Sequence, residues 1–113
     1  MPANSPRRGD IYHLKIDEPI GPRYAVVVTA NAINDNADMV LLALITSQGM
    51  DRVYPHEFNL PLGLLPKPSK VKGHALIAWP KQELSSGNYK ATLSARDMPG
   101  LDVALMKALD LWY

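Results

Sequence analysis

The chain of 113 residues is long enough for one domain with one modest hydrophobic core. With 12 Lys and Arg against 11 Asp and Glu, the net charge of +1 does not by itself mark a nucleic-acid-binding protein. The absence of cysteine excludes disulfide bonds and thiolate metal sites, and it suits the reducing cytoplasm, where we expect the protein to reside.

The first part of the chain predicts a polar start, one strand and one loop. Residues 1–7 lack the apolar stretch of a secretory signal, so we predict a disordered start to a single domain that spans residues 1–113. Gly9–Ile16 predicts a strand in which a bulge accommodates the imperfect alternation of apolar residues. Asp17–Pro22 contains two prolines and a glycine, which indicate a loop.

Two apolar runs, Tyr24–Thr29 and Val40–Ser47, predict the central strands. Each is a continuous aliphatic stretch of strand length, which is typical of a strand buried on both faces. The connection between them is rich in Asn and Asp and predicts turns or one short helical turn. If the two strands pair antiparallel, Arg23 lies at the same end as Thr46 and Ser47, and this end becomes a candidate anion site.

Shorter strands follow. Val53–Leu60 and Val71–Trp79 predict strands on either side of Pro61–Pro68, where proline and glycine exclude regular structure. The Gly87-Asn88 pair predicts a turn before one last short strand, Tyr89–Leu93.

The final stretch changes to a helical period. A helix over Asp97–Leu111 is predicted by an apolar stripe at helical spacing, which comprises Leu101, Leu105, Ala108 and Trp112. Ser94 and Asp97 are candidate N-caps. Several strands followed by one terminal helix predict a mainly β or α+β fold, a small barrel with a C-terminal α-helix.

Four short segments occur in a recognisable order. Arg8–Tyr12 reads RGDIY, Arg23 precedes the VVVT of Val26–Thr29, Leu44–Ser47 reads LITS, and Pro55–Leu60 reads PHEFNL. In this order and spacing, the segments resemble those of the MazF/PemK toxin family of type II toxin–antitoxin systems.

The resemblance implies both a fold and an activity. It implies a half-open antiparallel barrel of the Src-homology-three type, a homodimer, and cleavage of single-stranded RNA without a metal or other cofactor. It also implies a cognate antitoxin protein as partner, and no association with a membrane. Arg23 and Thr46 match the catalytic pair of the family. The chain departs from the family pattern in its short Asp17–Pro22 loop and in Ile77–Glu83, where the family carries an Asp-Gln pair.

These residue types suit phosphate chemistry. An arginine can bind two phosphate oxygens at once and stabilise the charge of a phosphorane, and a threonine hydroxyl can donate a hydrogen bond to a non-bridging oxygen. Ser47 is a second hydroxyl, and His13 is the histidine that we place near the site, ahead of His56 and His74. The alternative is that Arg23 only caps its strand and that Thr46 bonds to nearby backbone.

Further candidates for RNA contact come from a basic run and an aromatic residue. Lys67, Lys70 and Lys72 are predicted to lie in a loop that touches phosphates, although such loops are commonly only solvated. Trp79 precedes a proline at a strand end and could stack on a base. The three histidines are scattered without metal-ligand spacing, so we expect no metal site.

Two other functions remain open at this point. A toxin of the same fold can act by binding a protein, as the CcdB gyrase poisons do. A homologue that has lost cleavage could act as a regulator.

Overall fold

The computed structural model describes residues 5–111, which form one curled antiparallel sheet and two α-helices. The strands are β1 (Asp10–Leu14), β2 (Arg23–Val27), β3 (Met39–Thr46), β4 (Glu57–Asn59), β5 (Lys70–Pro80) and β6 (Tyr89–Thr92). The helices are α1 (Asn31–Asn36) and α2 (Met98–Leu109). The spatial order β4-β5-β3-β2-β1-β6 makes a half-barrel with a C-terminal helix, so the predicted fold class is confirmed.

The sheet carries a hydrophobic cluster on each face. One cluster packs against α2 and includes Ile11, Val26, Ala43, Ile45, Val71 and Leu101. The other includes Tyr12, Ala25, Val27, Leu42 and Leu84. Successive residues of β2 enter opposite clusters, as the alternation of side chains requires. The prediction that β2 is buried on both faces is therefore confirmed, whereas β3 is buried on both faces only in part, because Leu41 is 39% exposed.

Two glycines let the surrounding elements approach closely. A Cβ on Gly73 of β5 would lie 3.0 Å from the carbonyl oxygen of Ala104 in α2, and a Cβ on Gly100 would lie 2.3 Å from the ring of Phe58. A side chain at either position would therefore push the helix away from the sheet.

Helix α2 is slightly shorter than predicted. Asp97 occupies the N-cap position, but its side chain makes no capping bond to the helix and instead accepts a hydrogen bond from the Ser94 hydroxyl. The buried residues of α2 are Leu101, Ala104 and Leu105, so its buried face includes Ala104, which was not part of the predicted stripe. Trp112 lies outside the described residues. Between residues 5 and 111, no helix is long and apolar enough to span a membrane.

Two further predictions need correction. Strand β4 covers only Glu57–Asn59 of the predicted Val53–Leu60, because a turn precedes it: the Glu57 amide donates to the Tyr54 carbonyl at 2.9 Å. The start of the chain is less frayed than predicted, since Pro6 is fully buried and Arg7 pairs with Asp35. Residues 1–4 are outside the part that the structure describes.

Ile77–Glu83, one of the two segments that depart from the family pattern, is built into the fold. Its Lys81 donates from Nζ to the carbonyl of Asn34 in α1 at 3.0 Å and from its backbone to the carbonyl of Asp38 at 2.8 Å. Asn34 is itself fully buried, and its amide bonds to the Thr29 carbonyl at 2.9 Å. The short α1 thus matches the predicted helical turn. It links the connection between β2 and β3 to the segment that follows β5.

Candidate active-site cleft

A cleft of about 420 Å³ lies at one end of the two central strands. Five of the residues that the sequence singled out line it: His13, Arg23, Thr46, Ser47 and Lys67. The other lining residues are Pro22, Tyr24, Ile45, Gln48, Leu65, Pro66 and Ser69.

The strand register places Arg23 and Thr46 at the same end of the β2–β3 pair. Ala25 pairs with Leu44 and Val27 with Leu42 in the antiparallel β2–β3 ladder. Continuing this register by two residues brings Arg23, the first residue of β2, opposite Thr46, the last residue of β3. The structure therefore brings the predicted cation and hydroxyl to the same end of a rigid sheet.

The guanidinium of Arg23 is available to bind an anion. The residue is exposed, and within residues 5–111 its side chain makes one hydrogen bond, from a terminal nitrogen to the Pro22 carbonyl at 2.9 Å. Among residues 5–111, no carboxylate forms a salt bridge with it. Since a guanidinium carries five N–H donors, the local bond that the alternative interpretation expects leaves most of them unused.

The hydroxyl of Thr46 makes a local hydrogen bond and can still donate one to a ligand. Its oxygen accepts a hydrogen bond from the Gln48 amide at 3.0 Å, which closes a short turn after β3. Because the oxygen acts as acceptor in this bond, its own proton remains to be donated into the cleft. Ser47 is exposed beside it.

His13 and Tyr24 form an aromatic pair at the cleft. Their ring centroids are 4.9 Å apart at an interplanar angle of 70°, and the two residues are paired across β1 and β2. His13 is exposed, so a bound ligand can reach its imidazole. Tyr24 was not among the predicted site residues, although its place directly after Arg23 was a signal that it could line the site.

The prediction of a basic loop was wrong for two of its three lysines. Lys70 and Lys72 belong to β5, and only Lys67 lines the cleft. Lys70 is 3% exposed, and its ammonium donates to the carbonyls of Gly49 and Arg52 and to the Glu57 carboxylate at 2.8–2.9 Å. All three of its N–H donors are occupied, so Lys70 cannot bind RNA in this arrangement.

Lys72 and Trp79 lie away from the cleft. Lys72 is half-buried opposite Glu57 in the β4–β5 ladder. Trp79 is paired with Val40 at the far end of β3 from Thr46, where it packs against the second hydrophobic cluster. Trp79 lines a separate cavity of about 470 Å³, and His13 lines both this cavity and the cleft.

Two pKa values are shifted by burial and by partners. Burial acts to raise the pKa of Glu57, but hydrogen bonds from the Lys70 ammonium and the Tyr54 amide outweigh it and hold that pKa below its ordinary 4.5. Burial, reinforced by the nearby Asp10 charge, raises the pKa of Tyr12 to about 12. Tyr12 is therefore no proton donor near neutral pH. Within residues 5–111, no group of three or more His, Cys, Asp or Glu side chains is placed to hold a metal ion.

Solved structures share this fold. An endoribonuclease from a mycobacterial species superposes with a TM-score of 0.79 at 23% identity, covering 100% of this chain and 99% of that one. A mycobacterial endoribonuclease in complex with its cognate antitoxin gives 0.79 at 24% identity, covering 96% and 98%. A MazE–MazF complex from Deinococcus radiodurans gives 0.73 at 20% identity, covering 96% and 98%. These superpositions establish a common fold.

Sequence comparison establishes the family. No curated protein sequence matches the chain significantly. The profile described as PemK-like, MazF-like toxin of type II toxin–antitoxin system, however, matches residues 7–109, which is nearly the whole chain. The chain therefore belongs to the family of PemK-like, MazF-like toxins of type II toxin–antitoxin systems.

Proposed function

We propose that this toxin is an endoribonuclease that cleaves single-stranded RNA in the Arg23–Thr46 cleft without a metal ion. The observation that carries the proposal is the juxtaposition of an unpaired guanidinium and a hydroxyl at the end of β2 and β3. Solved structures of the same fold include endoribonucleases, which supports the same activity here.

The chemistry is an internal transfer. The 2′-hydroxyl of one nucleotide gives up its proton to a base as its oxygen bonds to the adjacent phosphorus. The bond from phosphorus to the 5′-oxygen of the next nucleotide breaks, and an acid protonates this oxygen, which leaves a 2′,3′-cyclic phosphate and a 5′-hydroxyl. Negative charge accumulates on the non-bridging oxygens in the transition state, where Arg23 provides two N–H donors and Thr46 a third. Ser47 and Lys67 line the same cleft, and we assign them to the same phosphate or its neighbour.

His13 is our candidate for one proton transfer. Histidine is the usual proton carrier near neutral pH, and His13 is the histidine that lines the cleft. Its contact with the Tyr24 ring orients the imidazole without occupying a ring nitrogen in any recorded hydrogen bond.

The protein partners follow from the family and from the apolar surface. We propose that residues 1–113 act as one toxin domain, dimerise, and are held inactive by a cognate antitoxin in the cytoplasm. Two of the related folds were solved with an antitoxin. A groove of about 510 Å³ between α2 and the sheet is lined by apolar side chains, including Leu41, Leu76 and Leu109, and it supports the binding of another chain.

The test is a cleavage assay with the purified protein and a long single-stranded RNA in EDTA, with the products mapped by primer extension. We expect discrete stops that appear without added metal. Activity that is lost in EDTA and restored by Mg²⁺ would contradict the proposed mechanism. A toxin that binds its antitoxin and cleaves no RNA would favour the protein-binding alternative.

A further inference from the structure

A cluster of three rings lies on the surface near β4, outside the cleft. The Tyr54 and His56 rings are nearly parallel, at 13°, with centroids 5.7 Å apart. The His74 ring meets His56 edge-on, with centroids 4.7 Å apart and an interplanar angle of 85°. Tyr54 is 45% exposed and His74 is exposed, and none of the three rings belongs to either hydrophobic cluster.

Arg52 and the half-buried Lys72 are the cationic residues beside these rings. The exposed Arg52 donates from its guanidinium to the Tyr54 hydroxyl at 3.1 Å, and Lys72 is two residues before His74 on β5. Asp51 is the exposed acid next to Arg52, and the carboxylate of Glu57 is buried against Lys70. Exposed aromatic rings beside cationic side chains are the combination that binds single-stranded nucleic acid, because bases stack on the rings and phosphates meet the cations.

The buried Lys70–Glu57 pair fixes the ring cluster relative to the cleft. Lys70 lies beside Thr46 in the β3–β5 ladder, and its ammonium bonds to the carbonyls of Gly49 and Arg52. The loop that leaves the cleft after Gln48 is thereby tied down just before Tyr54. His74 is four residues beyond Lys70 on the same strand, roughly 13 Å away at the rise of a β-strand. That distance suits nucleotides a few positions from the scissile phosphate.

We propose that Tyr54, His56 and His74 form a stacking site for unpaired bases of the RNA whose scissile phosphate lies between Arg23 and Thr46. The inference rests on the proposed function. It assigns the rings to the RNA substrate and not to a protein partner, since their cationic surroundings match a phosphate backbone.

The test measures binding separately from cleavage. The probe is a fluorescein-labelled, mixed-sequence 2′-O-methyl RNA of about 12 nucleotides, within the range that single-strand sites accommodate, and it cannot be cleaved because its 2′-oxygens are blocked. Fluorescence anisotropy gives the dissociation constant for the parent, Tyr54→Ala and His74→Ala. Tyr89→Ala is the matched control, since Tyr89 is also 45% exposed but begins β6 at the opposite edge of the sheet.

We expect Tyr54→Ala and His74→Ala each to weaken probe binding about tenfold, the effect of losing one stacked base. Tyr89→Ala should bind like the parent, and Tyr54→Phe, which keeps the ring, should retain most of the affinity. In NMR spectra of the parent, the ring resonances of Tyr54 and His74 should shift when the probe is added.

Other results would overturn the inference. If Tyr54→Ala and His74→Ala fold normally and bind the probe as well as Tyr89→Ala does, the rings are not a stacking site, and a protein partner would be the alternative. A parent that cleaves unmodified RNA while both variants bind normally would refute this inference alone. A parent that cleaves no RNA would refute the proposed function, while the binding measurement would still decide whether the rings bind bases.

Discussion

The Lys70 ammonium lies 2.9 Å from the Glu57 carboxylate, and both side chains are at most 5% exposed. This pair joins the edge strand β4 to β5, and Lys70 is also the neighbour of Thr46 in the next ladder. A buried ion pair therefore supports the loop that forms one side of the cleft. Breaking such a pair is costly, because the remaining charge stays buried without a partner.

We predict that Lys70→Met will destabilise the protein by about 3–5 kcal/mol, because it leaves the Glu57 carboxylate buried and unpaired. Urea unfolding followed by circular dichroism measures this change. Lys72→Met is the matched control, since Lys72 is half-buried on the same strand and makes no recorded salt bridge. Equal losses in the two variants would show that the pair has no special role.

The same pair makes stability depend on pH. The pKa of Glu57 is lower in the folded state than its ordinary 4.5, so the unfolded chain binds a proton more readily than the folded one does. The stabilising effect is thus complete above about pH 4.5 and is lost as the pH falls through the folded pKa. We expect the stability difference between the parent and Glu57→Gln to shrink over this acidic range. A difference that stays constant down to pH 3 would contradict the assignment.

The sequence was sufficient to predict the local features of the fold and one central part of the site. The aliphatic runs and the helical stripe identified β2, β3 and α2, since periodicity and burial determine such elements. Arg23 and Thr46 could be placed together because an antiparallel pairing of two adjacent strands has few possible registers.

The features that could not be predicted depend on distant residues. Lys70 follows a proline-rich segment and resembles a solvated lysine, but Glu57, 13 residues earlier, provides its buried partner. The ring cluster could not be predicted for the same reason, because Tyr54, His56 and His74 meet only after β4 pairs with β5. Trp79 seemed available for stacking, whereas the curled sheet packs it against a second hydrophobic cluster.

A homodimer is expected from the apolar surface of the chain. Leu41, Val103 and Leu109 are 39–50% exposed, and Leu41 and Leu109 line the groove beside α2. Sedimentation equilibrium at micromolar concentrations should give twice the mass of 12.5 kDa. A monomer at those concentrations and above would contradict the prediction.

The hydroxyl of Thr46 can be tested at nearly constant shape. We expect Thr46→Val to reduce the cleavage rate because it removes the donor, and to leave the melting temperature close to that of the parent because the site lies at the rim of the sheet. Thr46→Ala should reduce the rate to a similar extent. If Thr46→Val cleaves as fast as the parent, then the hydroxyl serves only the turn that Gln48 closes.

The single-turnover cleavage rate of Arg23→Ala tests whether Arg23 stabilises the transition state of RNA cleavage. Its control is Arg96→Ala, because the side chain of Arg96 is 85% exposed outside the cleft. We expect Arg23→Ala to melt like the parent and to cleave about 10²–10³-fold more slowly, while Arg96→Ala keeps the parental rate. An Arg23→Ala variant that is folded and cleaves as fast as the parent would contradict this role of Arg23.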